Sequence, residues 1–313
     1  MTLNERAARL CQTLPPRVSE ERLAGARVLD AGIAAPGGLE AGLWLARLCM
    51  ADAAQVSWTR GEAGLGVLVA SDEPVAACMA AQYAGWQVSV GSYFAMGSGP
   101  MRAAYGQEAL FEEIGFRESP PVAVGVLETR KLPTAEVVAY LAERTRLAPE
   151  ALTLAVAPAC SLAGTVQVVA RALETALHKL HEWKFDLAQV VSGVGYAPVP
   201  PVGKDDLQAI GWTNDAILYG GIVDLWVRAD DDVLTTLGPR VPASSSAMYG
   251  APFAEIFRAA GGDFYKIDPL LFSPAVVRFI NLASGRRHTF GQLDPDVLER
   301  SFAGSSAAGR SLR

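Results

Sequence analysis

The pattern of hydrophobic and polar positions alternates between segments typical of strands and segments typical of helices. Short apolar runs predict strands at ARVLDAG, QVSWTR, GVLVAS, QVSVGSYF, VAVGVLE, LTLAV and IVDLWVR. Apolar residues at helical spacing predict helices at GLEAGLWLARLCMAD, EPVAACMAAQYAGW and TAEVVAYLAERTRL. Pro133 and Thr134 precede the last of these, and this pair is typical of a helix start. The alternation indicates a protein of the α/β class.

Two longer segments are also predicted as single helices. One is MRAAYGQEALFEEIGF at 101–116, and the other runs from about Ser161 to Trp183. A proline-rich loop, YAPVPPVG, follows the second and leads into AIGWTNDAILYGG at 209–221. In that stretch Thr213 or Asn214 is expected to cap a helix that begins at Asp215. The alternative is that neighbouring donors hold Asp215 as a general base.

Loops rich in glycine and proline at 115–121 and 235–252 are the best candidates for domain boundaries. We therefore predict a first α/β domain over 1–119 and a second over 120–302, with elements free to cross between them. The small polar residues of 303–313 predict a mobile tail.

Composition and charge limit the classes of function. Of 313 residues half are hydrophobic and 19% are charged, which is typical of a globular protein. A net charge of −6 argues against nucleic-acid binding, because phosphate contacts need a basic face. The uncharged stretch 151–170 is interrupted by Pro158 and Gly164, so we predict a strand, a turn and a helix there instead of a membrane span. Without a signal-like N-terminus, the expected location is the cytoplasm.

The residues that bind metals or act as nucleophiles give weak signals. His178 and His181 share a helical face, but no third ligand is clustered with them, so no metal site is expected. The four cysteines form no CxxC pair and are expected to be reduced. Cys160 lies at a strand-to-helix turn, where a thiol can be activated. Packing of a tight turn by a small residue is the stronger interpretation, and a Cys160 amidohydrolase is a distant hypothesis.

A glycine-rich turn could hold an anionic group. In AMGSGPMRAA, Ser98 and Gly99 follow a predicted strand and precede a predicted helix, with Arg102 one turn further on. Backbone N–H groups at such a turn suit an anion. A simple capped turn explains the same pattern equally well.

Several long stretches resemble one protein family. They are QYAGW (82–86), GSGP (97–100), AVGVLET (123–129), SLAGTVQVVARALETALHKLHEWKFD (161–186), APVPPVGKDDLQAIGWTNDAILYGG (197–221), MYGAPFAEIF (248–257) and DFYKIDPLLFSPAVVRFINLASG (263–285). Together they resemble methenyltetrahydromethanopterin cyclohydrolase over about residues 28–302.

The resemblance implies two α/β domains with a deep cleft between them, assembled as a homotrimer. It implies hydrolysis of 5,10-methenyltetrahydromethanopterin to the 5-formyl derivative, a one-carbon step of formaldehyde oxidation or methanogenesis, with no cofactor and no metal. The methenyl bridge is already an electrophilic cation, so the reaction needs a positioned water, a carboxylate and a proton for the departing nitrogen. The residues then expected to bind the pterin substrate are Trp212, Thr213, Asn214, Ser98, Gly99, Arg102 and Lys204.

The resemblance also implies a catalytic carboxylate three residues after an arginine that holds it. These two positions fall on Asp215 and Trp212, and a tryptophan cannot replace a guanidinium. Three interpretations are open. Arg102 or Lys204 supplies the missing cation; Trp212 stacks on the pterin while Asp215 works alone; or the chain is a catalytically impaired or inactive pterin-binding paralogue.

Overall fold

The computed structural model describes residues 1–61, 64–263 and 266–303. The α-helices of this part are α1 (Leu3–Leu10), α2 (Leu39–Cys49), α3 (Met101–Tyr105), α4 (Ala109–Glu113), α5 (Ala135–Thr145), α6 (Leu162–Val169), α7 (Ala172–Glu182), α8 (Asp206–Gly220), α9 (Asp231–Leu237), α10 (Phe253–Ala259) and α11 (Pro295–Ala303), with a π-helix at Val75–Gln82. The strands are β1 (Ser19–Leu23), β2 (Ala26–Asp30), β3 (Gln55–Gly61), β4 (Gly64–Ser71), β5 (Trp86–Val90), β6 (Tyr93–Ser98), β7 (Ala123–Glu128), β8 (Leu152–Ala157), β9 (Val190–Pro198), β10 (Ile222–Val227), β11 (Val276–Asn281) and β12 (Arg287–Gly291). The predicted α/β class is confirmed.

The chain divides into two compact units, and neither is one continuous stretch. The first unit comprises Met1–Val56 and Glu73–Gln167, and the second comprises Ser57–Asp72 and Val168–Arg313. Each unit therefore takes residues from both sides of position 119. The strand β4 and most of β3 leave the N-terminal half of the sequence to join the second unit.

The first unit is built on a six-stranded sheet in the order β1-β2-β8-β7-β6-β5. Its centre is parallel, since β8 pairs in parallel with both β2 and β7, and the flanking pairs are antiparallel. Helix α2 packs on one face through Leu45 and Leu48, and α5 packs on the other through Val138 and Leu141. Burial on both faces explains the nearly continuous apolar runs of β7 and β8.

The second unit holds the other six-stranded sheet, in the order β12-β11-β10-β9-β4-β3. Here only β10 and β11 are parallel among the pairs from β4 to β12. Helix α7 lies against β9 so closely that a Cβ on Gly195 would come 2.7 Å from the backbone nitrogen of Leu173. The glycines of VSGVGY thus belong to a strand and allow a close helix–sheet approach.

Both segments predicted as single long helices are divided in two. Gly106 adopts a left-handed conformation with φ of 60° and ends α3, so a second helix, α4, starts three residues later. The other segment divides into α6 and α7 at Arg171, the residue that precedes α7. By contrast, Thr134 caps α5 as expected, with its hydroxyl accepting a hydrogen bond from the backbone nitrogen of Val137.

The tail predicted over 303–313 begins at Ala303, the last residue of α11, and residues 304–313 lie outside the described residues. In the part of the chain that is described, no helix is both long enough and apolar enough to cross a membrane.

Candidate active site

The TND segment lies in the middle of α8 and not at its start. Asp205 is the N-cap residue, and its carboxylate accepts a hydrogen bond of 2.9 Å from the backbone nitrogen of Gln208. The expectation that Thr213 or Asn214 caps a helix beginning at Asp215 is therefore wrong. The cap lies ten residues before Asp215, because a carboxylate at the loop end is the better partner for the free N–H groups of the first turn.

Thr213 and Asn214 make hydrogen bonds within their own helix. The Thr213 hydroxyl donates to the carbonyl of Ala209 at 2.8 Å, and the Asn214 amide donates to the carbonyl of Ile210 at 2.8 Å. This bonding to a carbonyl one turn earlier is how such residues are accommodated inside a helix. Their expected role in substrate binding stays a prediction.

Asp215 is only 1% exposed, and each of its carboxylate oxygens accepts a hydrogen bond within the second unit. Oδ1 accepts from the backbone nitrogen of Phe253 at 2.8 Å, and Oδ2 accepts from the Ser301 hydroxyl at 2.6 Å. Burial raises the pKa of Asp215 to about 7, and the two hydrogen bonds counteract part of that rise. The carboxylate therefore connects α8 to the start of α10 and to α11.

Trp212 also forms a hydrogen bond with Ser301 of α11. Its indole N–H donates to the carbonyl oxygen of Ser301 at 2.9 Å. The ring is 7% exposed and meets Phe302 edge-on, with 6.4 Å between the ring centroids. These contacts need an indole, since only tryptophan combines a large apolar ring with a single N–H donor of this geometry.

The residues of the glycine-rich turn belong to the first unit. Ser98 ends β6, and its hydroxyl lies 3.6 Å from the thiol of Cys49. Gly99 has a φ of 85°, which favours glycine at the turn into α3. The helix that follows, α3, has five residues and presents a short N-terminus.

Arg102 is fully buried, and its guanidinium is engaged within the first unit. It makes two hydrogen bonds to the carboxylate of Glu108, at 3.0 and 2.6 Å, and a third of 3.0 Å to the carbonyl of Met79. The rings of Tyr83 and Phe111 lie 5.0 and 5.4 Å from it. A structural role accounts for these contacts, and recognition of an anionic ligand by Arg102 stays a prediction.

Lys204 is exposed in the loop before α8, and its backbone nitrogen donates to the side chain of Gln208 at 2.9 Å.

Among the described residues no group of three or more histidine, cysteine, aspartate or glutamate side chains could hold a metal ion. His178 lies 3.6 Å from Glu182, one turn along α7, and burial lowers its pKa. Cys160 is half-buried.

Comparison with known proteins decides the family. A family model described as Cyclohydrolase (MCH) matches residues 4–302. The chain belongs to this cyclohydrolase family. A methenyltetrahydromethanopterin cyclohydrolase of Rhodopirellula baltica is 50% identical over 289 residues, which cover 90% of this chain and 87% of the relative. Proteins of the same name from Methylobacillus flagellatus and Methanococcoides burtonii are 45% and 41% identical, covering 93% and 89% of this chain and 90% and 89% of the relatives.

A second arginine and carboxylate of this cyclohydrolase chain have the spacing that the resemblance implies. Arg171 precedes α7, and Glu174 follows it by three residues in the first turn of that helix. Glu174 is 5% exposed, although a carboxylate is rarely buried to this extent. Both residues fall inside the segment predicted as one long helix, and neither was predicted as a site residue. The spacing alone could have found it.

Proposed function

We propose that this protein hydrolyses 5,10-methenyltetrahydromethanopterin to 5-formyltetrahydromethanopterin. The observation that carries the proposal is the 50% identity, over nearly the whole chain, to a protein named for this activity. Relatives from an archaeal methanogen genus and from methylotrophic bacteria carry the same name. We also propose a homotrimer located in the cytoplasm, as the family resemblance implies.

The chemistry requires few groups from the protein. Water adds to the cationic methenyl carbon while a carboxylate accepts one of its protons. The bond from this carbon to one of the two nitrogens then breaks, and the proton passes from the carboxylate to the departing nitrogen. The remaining hydroxyl proton is released to solvent as the carbonyl of the formyl group forms. The formyl group stays on the other nitrogen, so no oxidant or reductant is needed.

We propose Glu174 as the carboxylate that carries the proton. Three observations support it: its burial, its position three residues after Arg171, and the engagement of Asp215 elsewhere. Both oxygens of Asp215 accept hydrogen bonds that hold α8, α10 and α11 together, so a structural role accounts for Asp215. The catalytic role expected for Asp215 stays a prediction.

This assignment also bears on the hypothesis of an impaired paralogue, which rested on the missing arginine at position 212. The indole of Trp212 has a structural partner in Ser301, so no guanidinium is needed there. The comparisons give no support to the impaired alternative.

A turnover assay tests the function. Purified protein is mixed with methenyltetrahydromethanopterin, and the loss of the methenyl chromophore is followed against buffer alone. We expect decay well above the rate in buffer, and a rate no faster than buffer would refute the proposal. Cys160→Ala is the control for thiol chemistry and should retain full activity.

A further inference from the structure

The sheet of the first unit has a topological switch point between β7 and β8, two parallel strands that pair along their whole length. The helix after β7, α5, packs on one face of the sheet through Val138, and the helix after β8, α6, packs on the opposite face through Ala163. The chain therefore leaves the two strands toward opposite faces. Ligands of open α/β sheets bind outside the carboxyl ends of the strands at such a point.

Glu128 is the last residue of β7 and lies at this carboxyl end. It pairs with Ala157, the last residue of β8, and the backbone nitrogen of Thr129 donates to the carbonyl of Ala157 at 3.2 Å. The two strands are therefore held together up to their ends. The side chain of Glu128 is half-buried, whereas the rest of β7 is buried. A carboxylate thus follows the apolar run at the edge of the sheet where ligands bind.

A buried amide fixes the orientation of the Glu128 carboxylate. Gln167 of α6 is only 2% exposed, and its Nε2 donates to Oε2 of Glu128 at 3.2 Å. Its Oε1 accepts a hydrogen bond of 3.5 Å from the thiol of Cys49 in α2, and this thiol lies 3.6 Å from the hydroxyl of Ser98. Because both ends of the amide are engaged, it has one favourable orientation. The carboxylate is held in position before any ligand binds, which lowers the entropic cost of binding.

The pterin ring of the proposed substrate has an edge that matches a carboxylate. Its N3–H and one N–H of its 2-amino group point in the same direction, and these two donors fit the two oxygens of a carboxylate. An ionised carboxylate has about four acceptor positions, so Oε2 of Glu128 can accept from a ligand as well as from Gln167. The group at the end of β7 therefore suits this edge of the ring.

We propose that Glu128 binds the N3–H and 2-amino edge of the pterin ring and that Gln167 is a positioning residue for its carboxylate. The inference rests on the proposed function, because it names the group that recognises the pterin of that substrate. This edge lies at the opposite end of the fused rings from the methenyl carbon. Glu128 therefore contributes to substrate binding and not to proton transfer, and its loss raises KM while kcat changes little.

Glu128→Gln tests the contact by equilibrium binding of tetrahydromethanopterin, which has no methenyl bridge and is not hydrolysed. The new amide still offers one oxygen to Gln167, so the fold is preserved, but its NH2 group meets a donor of the ligand. We expect Kd, measured by titration calorimetry, to rise about 10-fold to 100-fold. Glu136→Gln is the matched control, since it makes the same change at an exposed glutamate in the first turn of α5 and should leave Kd at the wild-type value.

A ligand analogue tests whether the carboxylate recognises the 2-amino group. In this analogue of tetrahydromethanopterin an oxygen replaces the 2-amino group, so a donor of the ligand becomes an acceptor. The wild type should bind tetrahydromethanopterin at least about tenfold more tightly than the analogue, because a carboxylate repels an acceptor. Glu128→Gln should bind the two ligands equally well, and Gln167→Met should show a smaller preference than the wild type. A general loss of stability would weaken the binding of both ligands alike and leave the preference unchanged.

The outcomes separate this contact from the proposed hydrolysis. A wild-type Kd for Glu128→Gln, an unchanged preference between the two ligands in that variant, or a large fall in its kcat with KM unchanged would overturn the proposal. Turnover of the methenyl substrate is measured separately. Turnover combined with a Kd that does not depend on Glu128 refutes only the contact, whereas a Kd that depends on Glu128 without turnover refutes only the hydrolysis.

Discussion

The Ser301 hydroxyl donates a hydrogen bond of 2.6 Å to the buried carboxylate of Asp215, and this contact joins α11 to the middle of α8. The carbonyl of the same serine accepts the indole N–H of Trp212. One residue near the end of the described chain thus binds two residues that are three positions apart on another helix.

Trp212→Arg should destabilise the protein and should not raise its activity. The substitution removes the hydrogen bond to Ser301 and places a cation at a position that is 7% exposed. We expect a loss of about 3 kcal/mol in the free energy of unfolding, measured by denaturant titration. Trp212→Phe keeps the ring and loses only the donor, so it should cost about 1 kcal/mol. A more active and equally stable arginine variant would contradict this structural role for Trp212.

Ser301→Ala should lower stability most at alkaline pH. The substitution leaves one buried oxygen of Asp215 without its donor, at a cost of about 1–3 kcal/mol when the carboxylate is ionised. At acidic pH the neutral carboxyl group tolerates the loss better, so the difference from wild type should shrink. Denaturant titrations at pH 5 and pH 8 measure this difference. An equal loss at both pH values would show that the hydroxyl does not stabilise the ionised form.

Asp215→Asn should remove a pH dependence of stability. Burial raises the pKa of Asp215 to about 7 in the folded protein, above its ordinary value of 3.8. The folded state thus favours the neutral form, and the stability that this group contributes is full below pH 3.8 and is lost as the pH rises to 7. Asparagine cannot ionise. Its stability relative to wild type should therefore rise by roughly 4 kcal/mol between pH 4 and pH 8.

Glu174→Gln should reduce turnover far more than it reduces stability. If Glu174 carries the proton, we expect kcat to fall by about 100-fold to 10,000-fold, with little change in the melting temperature. Asp215→Asn is the matched comparison, since it also replaces a buried carboxylate by an amide. Asp215→Asn with the larger fall in kcat would restore the catalytic role to Asp215.

Arg102→Met should destabilise the protein without a specific effect on substrate affinity. The change leaves the carboxylate of Glu108 and the carbonyl of Met79 without their buried donor, at a cost of about 3–5 kcal/mol. If the guanidinium serves only the first unit, KM for the pterin should stay near the wild-type value at temperatures where the variant is folded. A large rise in KM there would show that Arg102 binds substrate.

The fold class and many elements could be predicted from the sequence, because β7, β8, α2 and α5 carry apolar patterns that match their burial. The strand β9 could not be predicted, because glycines are typical of loops in sequence. In the structure they lie in a strand, where Gly195 allows the close approach of Leu173. The sequence also did not show which residues belong to each unit, because hydrophobic periodicity does not reveal that β4 pairs with β9, a strand more than a hundred residues later.

The candidate site was predictable only in part. The resemblance identified the family, which the comparisons confirm. The start of the helix around Asp215 was predicted wrongly, because the sequence does not distinguish threonine and asparagine at a helix start from the same residues inside a helix. In the structure both side chains donate to carbonyls one turn earlier, those of Ala209 and Ile210, which places them inside α8. The partner of Trp212, almost ninety residues further along the chain, left no local signal.

The bonding of Ser301 also constrains the order in which this chain matures during synthesis. All residues of the first unit have been translated by Gln167, so that unit can fold while the ribosome is still working. The second unit must wait, because the Asp215 carboxylate and the Trp212 indole lack their partners until residue 301 has emerged. Its strand β4 is made early, together with its neighbour β3, and β4 remains unpaired with β9 through the translation of more than a hundred residues. The nascent chain of this protein therefore completes its second unit late, and its early strands are the segments that a chaperone would need to shield.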